Sequence, residues 1–260
     1  MAANETFKRV EKKYLLTREK YNELRKELGD RIIEDEYGLS SICNVYYDTE
    51  DYRLIRDSIE KPKYKEKLRV RSYGTPKGDT KVFLELKKKY DGIVYKRRVS
   101  MPLDQAKNYL RNGVWPTAKV NGQILKEIDY FQQMYRSTPK MYLAYDRIAT
   151  YGAEDHNLRI TFDQKIRYRQ DDVDLAMGDA GRLLLKNDEV LMEIKVGGAY
   201  PLWLSEILNR LEIYPTSFSK YGNIYKELLA EGSLKRGNIA QFTKPNMVEM
   251  PSALKKSSGF

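Results

Sequence analysis

The chain has 260 residues, 41% hydrophobic and 32% charged, with 47 Lys and Arg against 37 Asp and Glu, a single cysteine and a single histidine. That length suits one large domain, or one domain with appendages, and the net charge of +10 favours an anionic partner over simple solubility. Cys43 alone excludes an intrachain disulfide and a multi-cysteine zinc site, nothing around His156 in GAEDHN supports a nucleophile triad, and any metal chemistry falls to carboxylates and hence to Mg or Mn.

The elements follow in chain order. A strand is expected over about residues 7–15, then a helix capped by Thr17 (TREKYNELRKEL) and ended by Gly29. ICNVYY at 42–47 reads as a strand with Cys43 in its core, and Asp48 or Thr49 as the cap of a short helix, TEDYRLIRDS. Strands at about 64–73, 80–89 and 93–100, joined by GTPKGD and YDG, form a meander. Residues 102–136 read as helical, from Pro102 into LDQAKNYLRNG and then QILKEIDYFQQMYR. Strands resume at 141–150, 157–163, 165–169 and 190–196, with DDVDLAMGDAGR as loop. Pro201 opens a helix, LWLSEILNRLEIY, and another covers about 221–231. The domain is placed at 1–231, and 232–260, rich in Gly, Ser, Pro and Lys, as a flexible tail whose apolar residues are Phe242, Met247 and Met250.

No apolar run approaches the ~20 residues of a transmembrane helix. The N-terminal MAANETFKRVEKKYLL has no signal-peptide core. The expected compartment is the cytoplasm. About eight strands, mostly antiparallel, with helices at the ends and in one long insertion give the expected fold class: α+β, a closed antiparallel eight-stranded β tunnel barrel with flanking helices.

Charges alternate along these strands. Lys65, Lys67, Arg69 and Arg71 share one face of KYKEKLRVR. Glu85, Lys87 and Lys89 share one face of the next strand, and Lys96 and Arg98 one face of the third. Arg9, Glu11 and Lys13 alternate in the first strand, Tyr145 and Arg147 in LAYDRIAT, Arg159, Thr161 and Asp163 in LRITFD, and Glu193 and Lys195 in LMEIKV. A solvated edge or cross-strand ion pairs would give such rows too. Turned inward, they make a basic tunnel for a polyphosphate-like anion, with arginine forks on phosphate oxygens and Glu193, Glu85 and Glu11 on a divalent metal. Lys67, Tyr145 and Lys195 join the phosphate-facing set. Ser219 and Lys220 open a helix, either as a plain cap or as a phosphate site. No GxxxxGK[ST] motif occurs, so a nucleotide needs another phosphate cradle.

RVEKKYLL, KLRVRSYG, LELKKK, YKRRV, YDRIAT, LRITFD, LMEIKV and SFSKYGN, in this order over about residues 5–230, resemble the VTC domain. That is the catalytic domain of polyphosphate polymerases within the triphosphate tunnel metalloenzymes. The resemblance implies an eight-stranded tunnel that transfers the γ-phosphate of ATP to a growing polyphosphate chain with Mn or Mg. It puts the family's basic residues on Lys13, Arg69, Arg71, Lys87, Lys96, Arg98, Arg147, Arg159 and Lys220, its metal glutamate on Glu193, and its phosphate-binding pair on Ser219 and Lys220. The first strand carries Arg9 where related tunnel phosphatases carry a further glutamate, which counts against a triphosphatase or cyclase with a full glutamate set. The implied partners are ATP and inorganic polyphosphate or triphosphate; nucleic acid is not expected, and a membrane partner that exports the product is left open. Two other readings stand beside it: a tunnel hydrolase of triphosphate or nucleoside triphosphate, and a basic barrel that only binds polyanions, with Tyr64, Tyr73, Tyr90 and Tyr95 near its cations.

Overall fold

The computed structural model describes residues 9–186 and 188–234. Residues 7–8 of the expected first strand and 235–260 of the expected tail, with Phe242, Met247 and Met250, lie outside the described residues. The strands are β1 (Arg9–Leu16), β2 (Ile32–Asp48), β3 (Tyr64–Tyr73), β4 (Lys81–Tyr90), β5 (Ile93–Pro102), β6 (Thr138–Gly152), β7 (Arg159–Arg169), β8 (Arg182–Leu183) and β9 (Val190–Gly197). The helices are α1 (Arg18–Leu28), α2 (Arg53–Glu60), α3 (Leu103–Asn112), α4 (Gly122–Tyr135), α5 (Leu202–Arg210) and α6 (Lys220–Ala230).

Helix boundaries follow local chemistry. Thr17 Oγ1 accepts from the Lys20 amide at the start of α1, and Gly29, at φ 44°, ends it where a side chain would be strained. Asn121 Oδ1 accepts from the Gln123 and Ile124 amides at the start of α4. Asp48 and Thr49 both serve α2 from a distance. The Asp48 carboxylate accepts from the Leu54 and Ile55 amides at 2.9 and 3.1 Å, and Thr49 Oγ1 from the Arg53 amide at 2.8 Å. The expected loop at 170–181 holds a short 3₁₀ turn at Leu175–Met177.

β2 begins ten residues before the expected strand. Its first half, IIEDEYGLSS, pairs with the end of β6 across a register break between Glu34 and Leu39, and it is largely solvent-exposed. It therefore carries no apolar alternation, which is the usual sign of a half-buried strand.

All ladders are antiparallel, in the order β1-β9-β7-β6-β2-β3-β4-β5, with β8 paired to β7. The expected closure of a barrel is absent as a hydrogen-bonded ladder: among the described residues the path ends at β1 on one side and β5 on the other. One reason lies at β1, whose outer edge is taken at Lys13 by the Thr216 amide, donating to the Lys13 carbonyl at 2.7 Å. The sheet nevertheless curls: Lys13 on β1 comes close enough to Lys67 on β3, five strands away along the path, for their charges to repel.

Helices cover the convex face. Leu68, Val70, Leu84, Leu86 and Val99 pack under α3 and α4, and Tyr14, Ile160, Phe162, Met192 and Ile194 pack under α1 and α5. A third core lies on the concave face, where Ile42, Leu143, Tyr145 and Leu191 meet Ile55 of α2 and Tyr221, Ile224 and Tyr225 of α6. The strand phase that makes this possible changes at a bulge in β7. There Lys165 and Ile166 oppose the single Tyr145, with Lys165 at φ 45°. Before the bulge Arg159, Thr161 and Asp163 face inward; after it the inward residues are Ile166 and Tyr168, which join the plug under α6.

Candidate functional site

The concave face carries two charged clusters beside this plug. The first lies on β2, β3, β4 and β5. Arg69 and Glu85 are direct cross-strand partners, as are Glu85 and Arg98. Arg69 donates Nε and Nη2 to Glu85 Oε2 at 2.8 and 2.6 Å, Arg98 Nε donates to Oε1 at 2.7 Å, and Lys96 Nζ lies 3.1 Å from Oε1. Arg71 sits 3.7 Å away. Glu85 is only 2% exposed, and four cations surround its two oxygens. Burial alone would raise its carboxyl, but Arg69, Arg71, Lys96 and Arg98 hold it far below the usual range. Beside this hub Lys67, Lys87 and Lys96 are consecutive cross-strand partners. Such a row of like charges is unfavourable without an anion over it. Burial, Lys65, Lys87 and Lys13 together lower the Lys67 ammonium to about 8.

Sequence reasoning passed over two residues of β2 here. Asn44, fully buried, accepts from Arg71 Nε at 3.1 Å, and Tyr46 accepts from Arg69 Nη1 at 3.0 Å. Burial would raise the Tyr46 phenol, but Arg69, Lys67 and Arg71 bring it down to about 8. The signal that could have found them is the phase of ICNVYY: with Cys43 and Val45 in the helix-covered core, Asn44 and Tyr46 must face the other way.

The second cluster joins β1, β9, β7, β6 and α6. Lys13 opposes Glu193, and Glu11 opposes Lys195. Lys13 Nζ lies 3.7 Å from Glu11 and 3.6 Å from Glu193, and Lys195 contacts both carboxylates as well. Against the cost of burial, Lys195, Lys13 and Lys220 lower the Glu193 carboxyl to about 2. Thr161 is the partner of Glu193 on β7, and among the described residues its buried hydroxyl has no hydrogen-bond partner. Arg147 grips Asp163 with two bonds of 2.6 and 2.8 Å. Lys220 reaches Asp163 from the first turn of α6 and lies 4.5 Å from the Tyr145 ring centroid. Asp163, which sequence reasoning read as part of the LRITFD alternation but not as a site residue, is therefore the anchor of two site cations; burial is outweighed by Lys220 and Arg147, and its carboxyl falls to about 2.

Helix α6 is held in place from below. Ser219 Oγ accepts from the Gly222 amide at 3.2 Å, the plain capping role. Tyr221 donates to Asp48 at 3.0 Å and stacks on Tyr46 with ring centroids 4.8 Å apart. Lys13 Nζ donates to the Phe218 carbonyl at 3.1 Å.

Of the expected site residues, Lys13, Glu11, Glu193, Lys195, Arg147, Tyr145 and Lys220 are brought together in the second cluster, and Lys67, Arg69, Arg71, Glu85, Lys87, Lys96 and Arg98 in the first. Ser219 is a cap at the edge of the second cluster. Arg159 is exposed, at the β7 position opposite Lys195. The three expected metal glutamates do not converge: Glu11 and Glu193 share lysines, whereas Glu85 belongs to the arginine hub. Among the described residues no three His, Cys, Asp or Glu side chains form a metal-holding group.

The sequence matches the family model described as VTC domain over residues 8–229. A solved structure from Bacillus halodurans, described as a candidate adenylate cyclase, is 15% identical, with TM-score 0.50 over 81% of this chain and 92% of that one. A Pyrococcus horikoshii protein is 14% identical, with TM-score 0.42 over 86% and 99% of the two chains. A candidate adenylate cyclase from Vibrio parahaemolyticus is 12% identical, with TM-score 0.40 over 85% and 97%. No curated protein matches by sequence.

Proposed function

This chain belongs to the VTC-domain family, which is associated with polyphosphate synthesis, and we propose that it is a metal-dependent polyphosphate polymerase that transfers the γ-phosphate of ATP to the end of an inorganic polyphosphate chain. The curled sheet acts as the tunnel in which the two charged clusters face one another. The observation that carries the reading is the row Lys67–Lys87–Lys96, in which Lys96 alone reaches a carboxylate among the described residues, the Glu85 it shares with the Arg69–Arg71–Arg98 hub. A polyphosphate chain supplies the regularly spaced negative charge that such a row lacks.

The roles divide as follows. Arg69, Arg71, Lys96 and Arg98, splayed around Glu85, bind the phosphates of one substrate; Glu85 orders these cations. Lys67 and Lys87 extend the track, and Arg159 and Lys195 continue it on the other side. Lys13, Arg147 and Lys220, fixed by Glu193 and Asp163, neutralise the charge that develops on the transferred phosphoryl group. The acceptor is a terminal phosphate, already ionised, so no strong general base is needed.

Metal dependence is general to the family. Mg or Mn is commonly held by one or two protein carboxylates and completed by substrate phosphates, and the pair Glu193 and Glu11 fits that limited demand. Bound there, the metal would polarise phosphoryl oxygens as a Lewis acid.

A tunnel hydrolase would use the same cations and differ only in admitting water as nucleophile. Incubation with ATP and Mn²⁺, followed by gel separation and a basic dye, separates them: the polymerase leaves a ladder of stained chains, the hydrolase only free phosphate.

A further inference from the structure

A cavity of about 540 Å³ opens on the convex side of the sheet, away from both charged clusters. Its floor is Val45 and Tyr47 of β2 with Val70 of β3, the residues that alternate with Asn44, Tyr46, Arg69 and Arg71 on the same two strands. Leu103, Ala106 and Leu110 of α3 form an apolar wall, and Leu175 of the 3₁₀ turn faces them. The volume falls in the range of small-molecule sites.

The rim is cationic. Lys107, Arg111 and Arg136 line it with one carboxylate, Asp174. Lys107 Nζ lies 2.6 Å from Asp174, so that charge is matched. Among the described residues neither Arg111 nor Arg136 has a carboxylate within ion-pair distance, and both are exposed. Thr138, at the start of β6, adds a hydroxyl to the same rim, while the hydroxyl of the preceding Ser137 is taken by Gln132. Arg111 feels Asp174 only at longer range, and an apolar floor beneath two guanidiniums that no carboxylate contacts directly suits a ligand with an apolar body and a single anionic head. Polyphosphate, which has no apolar body, would leave the floor unused.

We infer that this cavity is a binding site for a small amphiphilic anion, an aliphatic or aromatic group bearing one carboxylate or sulfonate, with its body on Val45, Val70 and Leu110 and its head between Arg111 and Arg136. The site is separate from the proposed polymerase reaction and does not depend on it.

The test is fluorescence titration of the whole protein with 8-anilinonaphthalene-1-sulfonate, an aromatic sulfonate that brightens in apolar surroundings, with decanoate, decanol and tripolyphosphate as competitors. The expected result is saturable binding at one site per chain, displaced by decanoate, far less by decanol, and not by tripolyphosphate. The double variant Arg111→Glu/Arg136→Glu, both positions exposed, weakens the dye by about tenfold or more, equivalent to ~1.4 kcal/mol. Leu110→Trp, which fills the cavity, abolishes binding while the circular dichroism spectrum stays unchanged. Displacement by tripolyphosphate would put the dye on the concave face and overturn the inference. So would dye binding that survives both variants, equal displacement by decanol, or no saturable binding at all.

Discussion

Arg69 and Glu85 oppose each other across β3 and β4, and Arg69 gives two of its N–H groups to one oxygen of a carboxylate that is 2% exposed. The other oxygen is taken by Arg98 and Lys96. A buried carboxylate with both oxygens so engaged holds like charges at close spacing, and its removal leaves those charges facing one another. Glu85→Gln should therefore destabilise the fold by about 3–5 kcal/mol, the usual cost of breaking a buried pair from one side, read as a lower urea midpoint at unchanged slope. Tripolyphosphate should bind the variant at least as tightly as the parent under conditions where both are folded, because a competing negative charge has gone. Loss of Mn²⁺ binding in this variant, with folding intact, would instead assign Glu85 to the metal.

Anion binding should weaken as pH rises through about 8. Lys67 and Tyr46 both titrate near there, Lys67 lowered by burial and by Lys65, Lys87 and Lys13, and Tyr46 lowered by Arg69 and Lys67 against the effect of burial. A bound polyanion favours the protonated form of each. Binding at pH 8–9 should thus take up protons, measured by calorimetry in two buffers of different ionisation enthalpy. Lys67→Met and Tyr46→Phe should each reduce the uptake, and an uptake unchanged in both would show that other groups titrate.

The acid limb of stability has a defined sign. Glu193 and Asp163 are both lowered to about 2 in the folded protein, from ordinary values of 4.5 and 3.8. For groups lowered on folding, the stabilisation is complete above the unfolded values and is lost as pH falls from about 4.5 towards 2. Asp48, raised to about 6 mainly by burial, has the opposite sign, and its contribution is lost as pH rises from about 3.8 through 6. Glu193→Gln should flatten the stability curve below pH 4.5, and Asp48→Asn should flatten it between about 4 and 6, both measured by chemical denaturation at a series of pH values.

The plug should matter for the site. Asp48 accepts from the amides of Leu54 and Ile55 and from the Tyr221 hydroxyl, which ties the start of α2 to α6 and so positions Lys220. Asp48→Ala should cost roughly 1–3 kcal/mol through these orphaned donors. It should also weaken tripolyphosphate binding more than Tyr221→Phe, which removes one bond and keeps the stack on Tyr46. Isothermal titration of the two variants at neutral pH makes the comparison.

The charged face was legible because alternation is local. KYKEKLRVR displays Lys67, Arg69 and Arg71 on one side and Leu68 and Val70 on the other without any knowledge of the fold, and the structure divides these residues the same way. Where the pattern depends on distant pairing it was silent. The first half of β2 is a strand only because β6 runs beside it, and Glu34 to Ser41 carry no apolar rhythm. The phase change at Lys165 is invisible in LRITFDQKIRYR, since a bulge is set by the opposing Tyr145. Glu85 and Glu193 look alike in sequence, each a carboxylate two residues from a lysine. Their separation into an arginine hub and a lysine pair follows from the neighbours that β3 and β1 bring. Counting strands overstates closure, because it does not reveal that Thr216 bridges to the outer edge of β1 at Lys13.

Polymerase and hydrolase differ in the acceptor of the phosphoryl group, and one labelling measurement identifies that acceptor. The protein is given γ-labelled ATP, Mn²⁺ and an unlabelled polyphosphate primer, and label is partitioned between chains and free phosphate. A polymerase places label at the growing end of chains longer than the primer, dependent on Mn²⁺ and lost in Glu193→Ala, with little free phosphate. Label recovered only as free phosphate, with the primer unextended, would make the protein a hydrolase instead.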